Sequence, residues 1–257
     1  MRIPIPSKPL DEFEVIMGIE NAILIGLSRQ VALRNQMDLV ANNIANVNTT
    51  GYKSQELLFR EFLVKTDEGD SMSYVESYGS IRDTSDGPMK PTENPLDLAI
   101  SGQGYFTVGT DDGPQYTRNG HFRLNEDGQL VTQDGDPVLD VDGKEIEFAD
   151  PGNPVQIARD GTVTAGPGEQ FRIAVVNFDN QQALEGVEGG LFKTDQPANP
   201  VEAPSVIQGM LEGSNVQAIV QMTRMIDVQR AYESMQKMIS TESEIQTDAI
   251  ERLGAIA

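Results

Sequence analysis

At 257 residues, with 19 basic against 40 acidic side chains, the chain carries a formal charge of −21, which disfavours nucleic acid and anionic membrane surfaces as partners because both select for Lys and Arg. It has no cysteine and one histidine, His121, so disulfides, thiolate metal sites and a multi-histidine metal centre within one chain are excluded. The apolar fraction of 38% is not that of a disordered chain, and no window approaches the ~18 apolar residues of a transmembrane helix.

The charge is unevenly placed. Residues 17–53 hold 3 basic and 2 acidic groups, and 209–257 hold 4 and 7. Residues 54–208 hold 10 and 28. Near-neutral ends can stack side by side without strong repulsion, whereas an acidic middle is better kept in water.

Residues 1–16 contain Pro4, Pro6 and Pro9 together with Asp11, Glu12 and Glu14. They lack the basic start and apolar run of a secretory signal peptide, and a disordered extension is expected. Ile19, Ile23, Gly26, Gln30, Leu33, Met37, Val40, Ile44 and Val47 then alternate spacings of four and three, a coiled-coil-like stripe. Leu24, Leu27 and Val31 add a second apolar face, which suggests more than one neighbour. A helix over 19–48 would span roughly 45 Å, and Gly51 is a natural stop.

Residues 64–98 are rich in Asp, Ser and Gly, with Pro88, Pro91 and Pro95. They read as extended or irregular, as do 186–208 with Pro197, Pro200 and Pro204. Between them, Asp112-Gly113, Asn119-Gly120, Asp127-Gly128, Asp134-Gly135 and Asp142-Gly143 recur every seven or eight residues. Such pairs adopt the positive φ that tight hairpins demand, so Gly120, Gly128 and Gly135 are assigned to turn geometry along with Gly51. The short alternating runs between them predict an antiparallel meander, extended by Phe171–Phe178.

Gly213-Ser214-Asn215 supplies a helix cap. Met225, Val228, Tyr232, Met235 and Ile239 follow at spacings of three and four. The phase then slips to Ile245, Ala249 and Leu253.

No catalytic set stands out. Tyr116, Arg118 and His121 flank the Asn119-Gly120 turn, but a lone His beside an Arg is more often a sheet-surface residue. None of the aspartate turns fits the calcium loop with its distal Glu. No catalytic, cofactor-binding or metal residue is assigned, and no cofactor is expected.

Ala41–Lys53 (ANNIANVNTTGYK), Asn94–Phe106 (NPLDLAISGQGYF), Tyr116–Asn119 (YTRN), Leu130–Asp134 (LVTQD), Leu211–Val216 (LEGSNV) and Met225–Tyr232 (MIDVQRAY) together resemble the bacterial flagellar axial proteins: rod, hook and hook-associated subunits. The match covers nearly all of 17–253 in the right order. Within that family the tract Gln208–Thr223 most resembles a proximal rod component.

The resemblance implies an α+β fold. N- and C-terminal helices would form a coiled-coil-like helical domain (17–53 plus 209–257), with connectors at 54–99 plus 186–208 and a central antiparallel β-rich domain at 100–185. It implies a non-enzymatic structural subunit that polymerises through its terminal helices into the basal-body rod. The implied partners are other proximal and distal rod proteins, copies of itself and the flagellar export apparatus. The implied location is the periplasm-spanning rod, reached by type III export without a cleaved signal peptide.

The expected assembly interface comprises Ile23, Leu27, Leu33, Met37, Val40, Asn42, Asn43, Ile44, Asn46 and Val47 with Met225, Val228, Tyr232, Met235 and Ile239. An asparagine amide both donates and accepts, so Asn42 and Asn43 could bridge a neighbour's backbone. Asn46 could do so or cap the helix end. A lone amphipathic helix with semi-polar stripes buries little surface, so frayed ends are expected in the free monomer. The alternatives are a distal rod or hook subunit and, from a different class, a monomeric periplasmic binding module.

Overall fold

The computed structural model describes residues 12–65, 71–149, 153–166 and 170–254. It is α+β. Helix α1 spans Glu12–Ala45 and α2 spans Ala218–Gly254, with short strands between them. The strands are β1 (Gln55–Lys65), β2 (Ser71–Arg82), β3 (Met89–Pro91), β4 (Leu98–Ile100), β5 (Tyr105–Thr110), β6 (Gly113–Thr117), β7 (Arg123–Leu124), β8 (Leu130–Val131) and β9 (Val155–Ile157). They continue as β10 (Thr162–Ala165), β11 (Gln170–Arg172), β12 (Val175–Asn177), β13 (Glu185–Gly186), β14 (Leu191–Lys193), β15 (Asn199–Pro200), β16 (Val206–Gln208) and β17 (Met210–Glu212).

Two compact units divide the chain. One draws its described residues from Met1–Asn42, Glu56–Ile81 and Ile219–Ala257, the other from Asn43–Gln55 and Arg82–Ala218.

The first unit contains most of both helices and the β1–β2 pair. Of the expected disordered tail, 1–11 lie outside the described residues, and 12–16 are already helical. No proline follows Pro9 in that stretch. Gly26 marks a close approach of the helices: a Cβ there would lie 3.0 Å from Ile239 Cγ1. On α2 the less exposed positions are 218, 221, 225, 228, 231, 232, 235, 239, 242 and 246. The three–four alternation therefore runs on without the expected phase slip. Glu242 and Gln246 are half-buried and Ile245 is exposed, because an unbroken helix keeps its register whatever residue occupies it.

Residues 55–65 and 71–82 are extended, as two strands. β1 and β2 pair as two long strands. Arg60 meets Glu76 at 3.3 Å and Ser73 donates to Glu61 at 2.6 Å, and residue numbers that rise on one strand while falling on the other define an antiparallel pair. The Arg60 guanidinium also lies over Phe62 and Tyr78. Two apolar runs on β1, Leu57-Leu58-Phe59 and Phe62-Leu63-Val64, outweigh the polar composition of the segment as a whole.

The second unit is β-rich. Its largest sheet among the described residues has the order β13-β14-β6-β5-β12-β15, all antiparallel. Phe106, Phe122, Leu130, Val138, Ile146, Phe148, Val163 and Ile173 form the main core. A smaller cluster joins Tyr105, Tyr116, Val176, Phe178 and Leu184.

The run Phe171–Phe178 does not simply extend the meander. It divides between two sheets, with β11 on β10 and β12 between β5 and β15. Two other loop aspartates hold backbone amides. Asp140 Oδ1 accepts from the amides of Asp142 and Lys144, and Asp160 from that of Thr162. The latter bonds hold the Asp160 carboxyl below its ordinary pKa.

Glycine chemistry splits two ways. Gly51, Gly128 and Gly135 take positive φ, whereas Gly120 does not. Gly120 instead lies against backbone: a Cβ there would fall 1.8 Å from the Leu98 carbonyl oxygen. Crowding, not turn handedness, demands glycine at that position.

Candidate assembly surfaces

The expected interface residues separate into three groups. Leu33, Met37, Ile44, Val47, Met225, Tyr232, Met235 and Ile239 are half-buried, and Val40 and Val228 are buried. These form the inward stripes of their helices. Ile23 is half-buried as well.

Leu27 is 50% exposed and lies on the other face of α1 with Leu24 and Val31. Together with Phe62, Tyr74 and Val75 these residues line an open groove of about 710 Å³ between α1 and the β1–β2 pair. On α2, Ile219, Met222 and Ile226 are half or more exposed. Monomeric proteins rarely leave such contiguous apolar rows in water.

Asn43 forms the third group. It is 1% exposed. Its Nδ2 donates to the Gln55 carbonyl at 2.8 Å, and its Oδ1 accepts from the Gln55 amide at 3.0 Å and the Tyr52 hydroxyl at 3.1 Å. The amide thus ties the end of α1 to the start of β1 within one chain, and none of it is turned toward a neighbour. Asn42 is exposed. Asn46 accepts from Thr49 Oγ1 at 3.1 Å, and its carbonyl accepts from the Thr49 amide, closing a turn after the helix.

Asn215 does not cap α2, which begins three residues later. Its Oδ1 accepts from the Ser54 amide at 2.7 Å, and its Nδ2 donates to the carbonyls of Asp83 and Ser85. The amide of Val216 bonds Ser214 Oγ. Both polar residues are consumed by loop contacts before the helix begins.

The second unit contains a buried ionic cluster that sequence reasoning missed. Glu212 Oε1 lies 2.6 Å from Lys53 Nζ and accepts from the Gly87 amide at 2.9 Å. Its Oε2 lies 3.3 Å from Arg118 Nη1. The three side chains are 1–2% exposed. Lys53 also donates to the Ser85 carbonyl, and Arg118 to those of Ile100 and Gly102. Hydrogen bonds on both sides are what make an ion pair tolerable at such depth.

The available signal was that GYK, YTRN and LEGSNV each place one charge in an otherwise uncharged or mixed tract. Arg118 is accordingly no sheet-surface residue, and Tyr116 packs edge-on against Phe178. His121 is the exposed member of the trio, with Nδ1 2.7 Å from Asp97 Oδ1. No helix among the described residues is long and apolar enough to cross a membrane.

Residues 23–53 match the family described as flagella basal body rod protein. Residues 99–165 match the D1 domain of the flagellar hook protein FlgE/F/G family, and 207–252 match the C-terminal region of flagellar basal body rod FlgEFG proteins. The chain is 42% identical over 244 residues to the flagellar basal-body rod protein FlgF of Caulobacter vibrioides, covering 93% of this chain and 100% of that protein. It is 30% identical to the FlgF of Mesorhizobium japonicum, over 92% and 99% of the two chains. It is 32% identical to the flagellar basal-body rod protein FlgG of Bacillus subtilis, over 86% and 94%.

Proposed function

The chain belongs to the flagellar basal-body rod protein family, as a member of the FlgF type, and from that premise we propose how it assembles. It is a structural subunit of the rod, part of the bacterial flagellum, and not an enzyme. The distal rod and hook alternatives and the periplasmic binding module are not favoured.

We infer that the terminal helices pair in a coiled-coil-like arrangement as the assembly domain (17–53 with 209–257), and that the central β-rich region (100–185) is carried by the connecting segments (54–99 with 186–208). Copies of the chain and other rod proteins, proximal and distal, are its partners. The carrying observation is the exposure of apolar rows on both helices, Leu24, Leu27 and Val31 on α1 and Ile219, Met222 and Ile226 on α2. Such rows gain by burial against neighbours. The near-neutral ends can crowd together, while the acidic middle remains hydrated. Leu27 and the other exposed row residues form the assembly surface in this reading, while Leu33, Met37, Val228 and Met235 stay on the inward stripes of the helices.

In this reading, subunits travel to the rod through the flagellar type III export apparatus. Helices that gain full order only among neighbours suit passage through a narrow channel and delay polymerisation until arrival. Hydrogen exchange on confirmed monomer and on assembled protein tests this reading. Weak protection across 24–47 and 216–240 in the monomer, rising on assembly, is expected. Strong protection in the monomer would overturn it.

A further inference from the structure

The β-rich unit holds a cavity that the assembly reading does not use. It measures about 730 Å³ and is walled in part by Asp112, Pro114 and Tyr116, and in part by the segment 193–197. Both walls are fixed by local bonds. β5 and β6 close on Asp111 and Asp112, with Thr110 Oγ1 donating to the Gly113 carbonyl at 2.7 Å. In the other segment, the Gln196 amide and Nε2 donate to Thr194 Oγ1. The Gln196 side chain also exchanges bonds with the Asn180 amide and carbonyl.

Three polar groups at this cavity are unspent. The carboxylates of Asp112 and Asp195 meet no donor and no cation among the described residues. The third is the Tyr116 phenol. Tyr116 is 7% exposed, and its ring packs edge-on against Phe178 at 4.7 Å. Register sets it across from Phe192, and Thr194, two residues further on, borders the same cavity. Its hydroxyl has no hydrogen-bond partner among the described residues. Burial raises both Tyr105 and Tyr116, but at Tyr105 two arginines pull against it, whereas at Tyr116 burial acts alone. A polar group held at such depth without a partner is costly, and a bound donor would remove that cost.

We propose that this cavity receives an arginine side chain carried on an extended segment of a partner protein. All three unspent oxygens accept hydrogen bonds, and a guanidinium offers five donors in one plane and no acceptor. An ammonium is a compact point charge and cannot spread over several acceptors in this way. Glu185 adds a further carboxylate, shared with Lys193 at 3.5 Å in an exposed pair that costs little to rearrange. Pro114, Ala183 and Pro197 supply apolar wall for the methylene stem. The volume lies in the range of pockets that take whole small ligands, which leaves room for the residues flanking the arginine. The surplus of acidic groups over residues 54–208 steers a basic segment toward this unit. The site stands apart from the pairing of the helices and does not depend on it.

Amide NMR of the full-length chain, shown to be monomeric by sedimentation, tests the proposal. The probes are a blocked Gly-Ser-Arg-Ser-Gly peptide, the same peptide with citrulline in place of arginine, and N-acetylarginine amide. Saturable shifts confined to 112–116 and 193–197 are expected with the arginine peptide. Citrulline keeps the shape and loses the charge, so its peptide should bind about tenfold more weakly or worse. The double variant Asp112→Asn, Asp195→Asn should lose a similar factor. Both positions are exposed, so its spectrum away from them should match the parent. Tyr116→Phe keeps the ring packing and should weaken binding about threefold or more. Equal binding of the citrulline peptide would overturn the proposal. So would shifts scattered over the acidic surface and unchanged in the double variant, which mean diffuse attraction only. N-acetylarginine amide binding as tightly as the peptide would overturn the protein segment in favour of a free guanidinium compound. No binding by any probe would overturn the site.

Discussion

Lys53 Nζ lies 2.6 Å from Glu212 Oε1 although 159 residues separate the two in sequence. Glu212 also neutralises Arg118, so one carboxylate holds two buried cations. It joins the loop after α1, the β-rich core and the strand that leads toward α2. Removing it by Glu212→Ala strands Lys53 and leaves Arg118 only Asp86, 3.9 Å away, at a cost of about 3–5 kcal/mol. Urea unfolding of the monomer should show the midpoint falling with little change in slope. Lys53→Met leaves Glu212 still paired with Arg118, and should cost distinctly less.

Asn43 should behave as a fold residue. Asn43→Ala leaves the Gln55 amide and carbonyl without their side-chain partner and removes one bond of the Tyr52 hydroxyl. Buried groups left unsatisfied cost about 1–3 kcal/mol each at most, so a loss of about 2–4 kcal/mol is expected. Thermal unfolding of monomer checks it, and a variant as stable as the parent would show that water replaces the amide.

Asn46→Asp should separate folding from assembly. The new carboxylate can still accept from Thr49 Oγ1, so monomer stability should change by less than about 1 kcal/mol. A negative charge placed on a packed face carries a desolvation cost, so assembly should fail. Differential scanning calorimetry beside sedimentation reads both. Normal assembly would mean that Asn46 only closes the turn after α1.

Gly120→Ala is expected to prevent the β-rich unit from folding, because the new methyl falls inside the Leu98 carbonyl. Gly79→Ala, with nothing within 4 Å of the new methyl, should be neutral to within about 0.5 kcal/mol. Soluble yield and near-ultraviolet circular dichroism distinguish the two variants.

Alkaline pH should destabilise the chain. Burial raises the phenols of Tyr52 and Tyr105 above their ordinary value, against the opposing pull of nearby arginines. The folded chain therefore keeps these protons to higher pH than the unfolded chain. Their contribution is present below about pH 10 and is lost as the pH rises through the raised folded values. Urea midpoints between pH 8 and 11 should fall, and the double variant Tyr52→Phe, Tyr105→Phe should fall less steeply.

Much of this molecule was legible because periodicity survives folding. The inward stripes of α1 and α2 lie where Leu33, Met37, Val40, Met225, Val228 and Ile239 recur at three and four. The Asp-Gly turns announced short strands. What stayed hidden depends on contacts distant in sequence. Gly120 looks like a turn glycine until the Leu98 carbonyl appears beside it. Asn215 looks like a cap until Ser54, Asp83 and Ser85 arrive. The ionic cluster unites three tracts that no local rule connects. The β1–β2 pair was obscured by a polar composition around the short apolar runs of β1, Leu57-Leu58-Phe59 and Phe62-Leu63-Val64. The exposed row of α1 was visible as a second face, but only the groove beside it gives that face a shape.

Electron microscopy of basal bodies from cells lacking only this gene tests the central claim most directly. A structural rod subunit predicts rings with a truncated or missing rod and no hook, restored by the full-length chain. A complete rod bearing a hook in those cells would contradict the account.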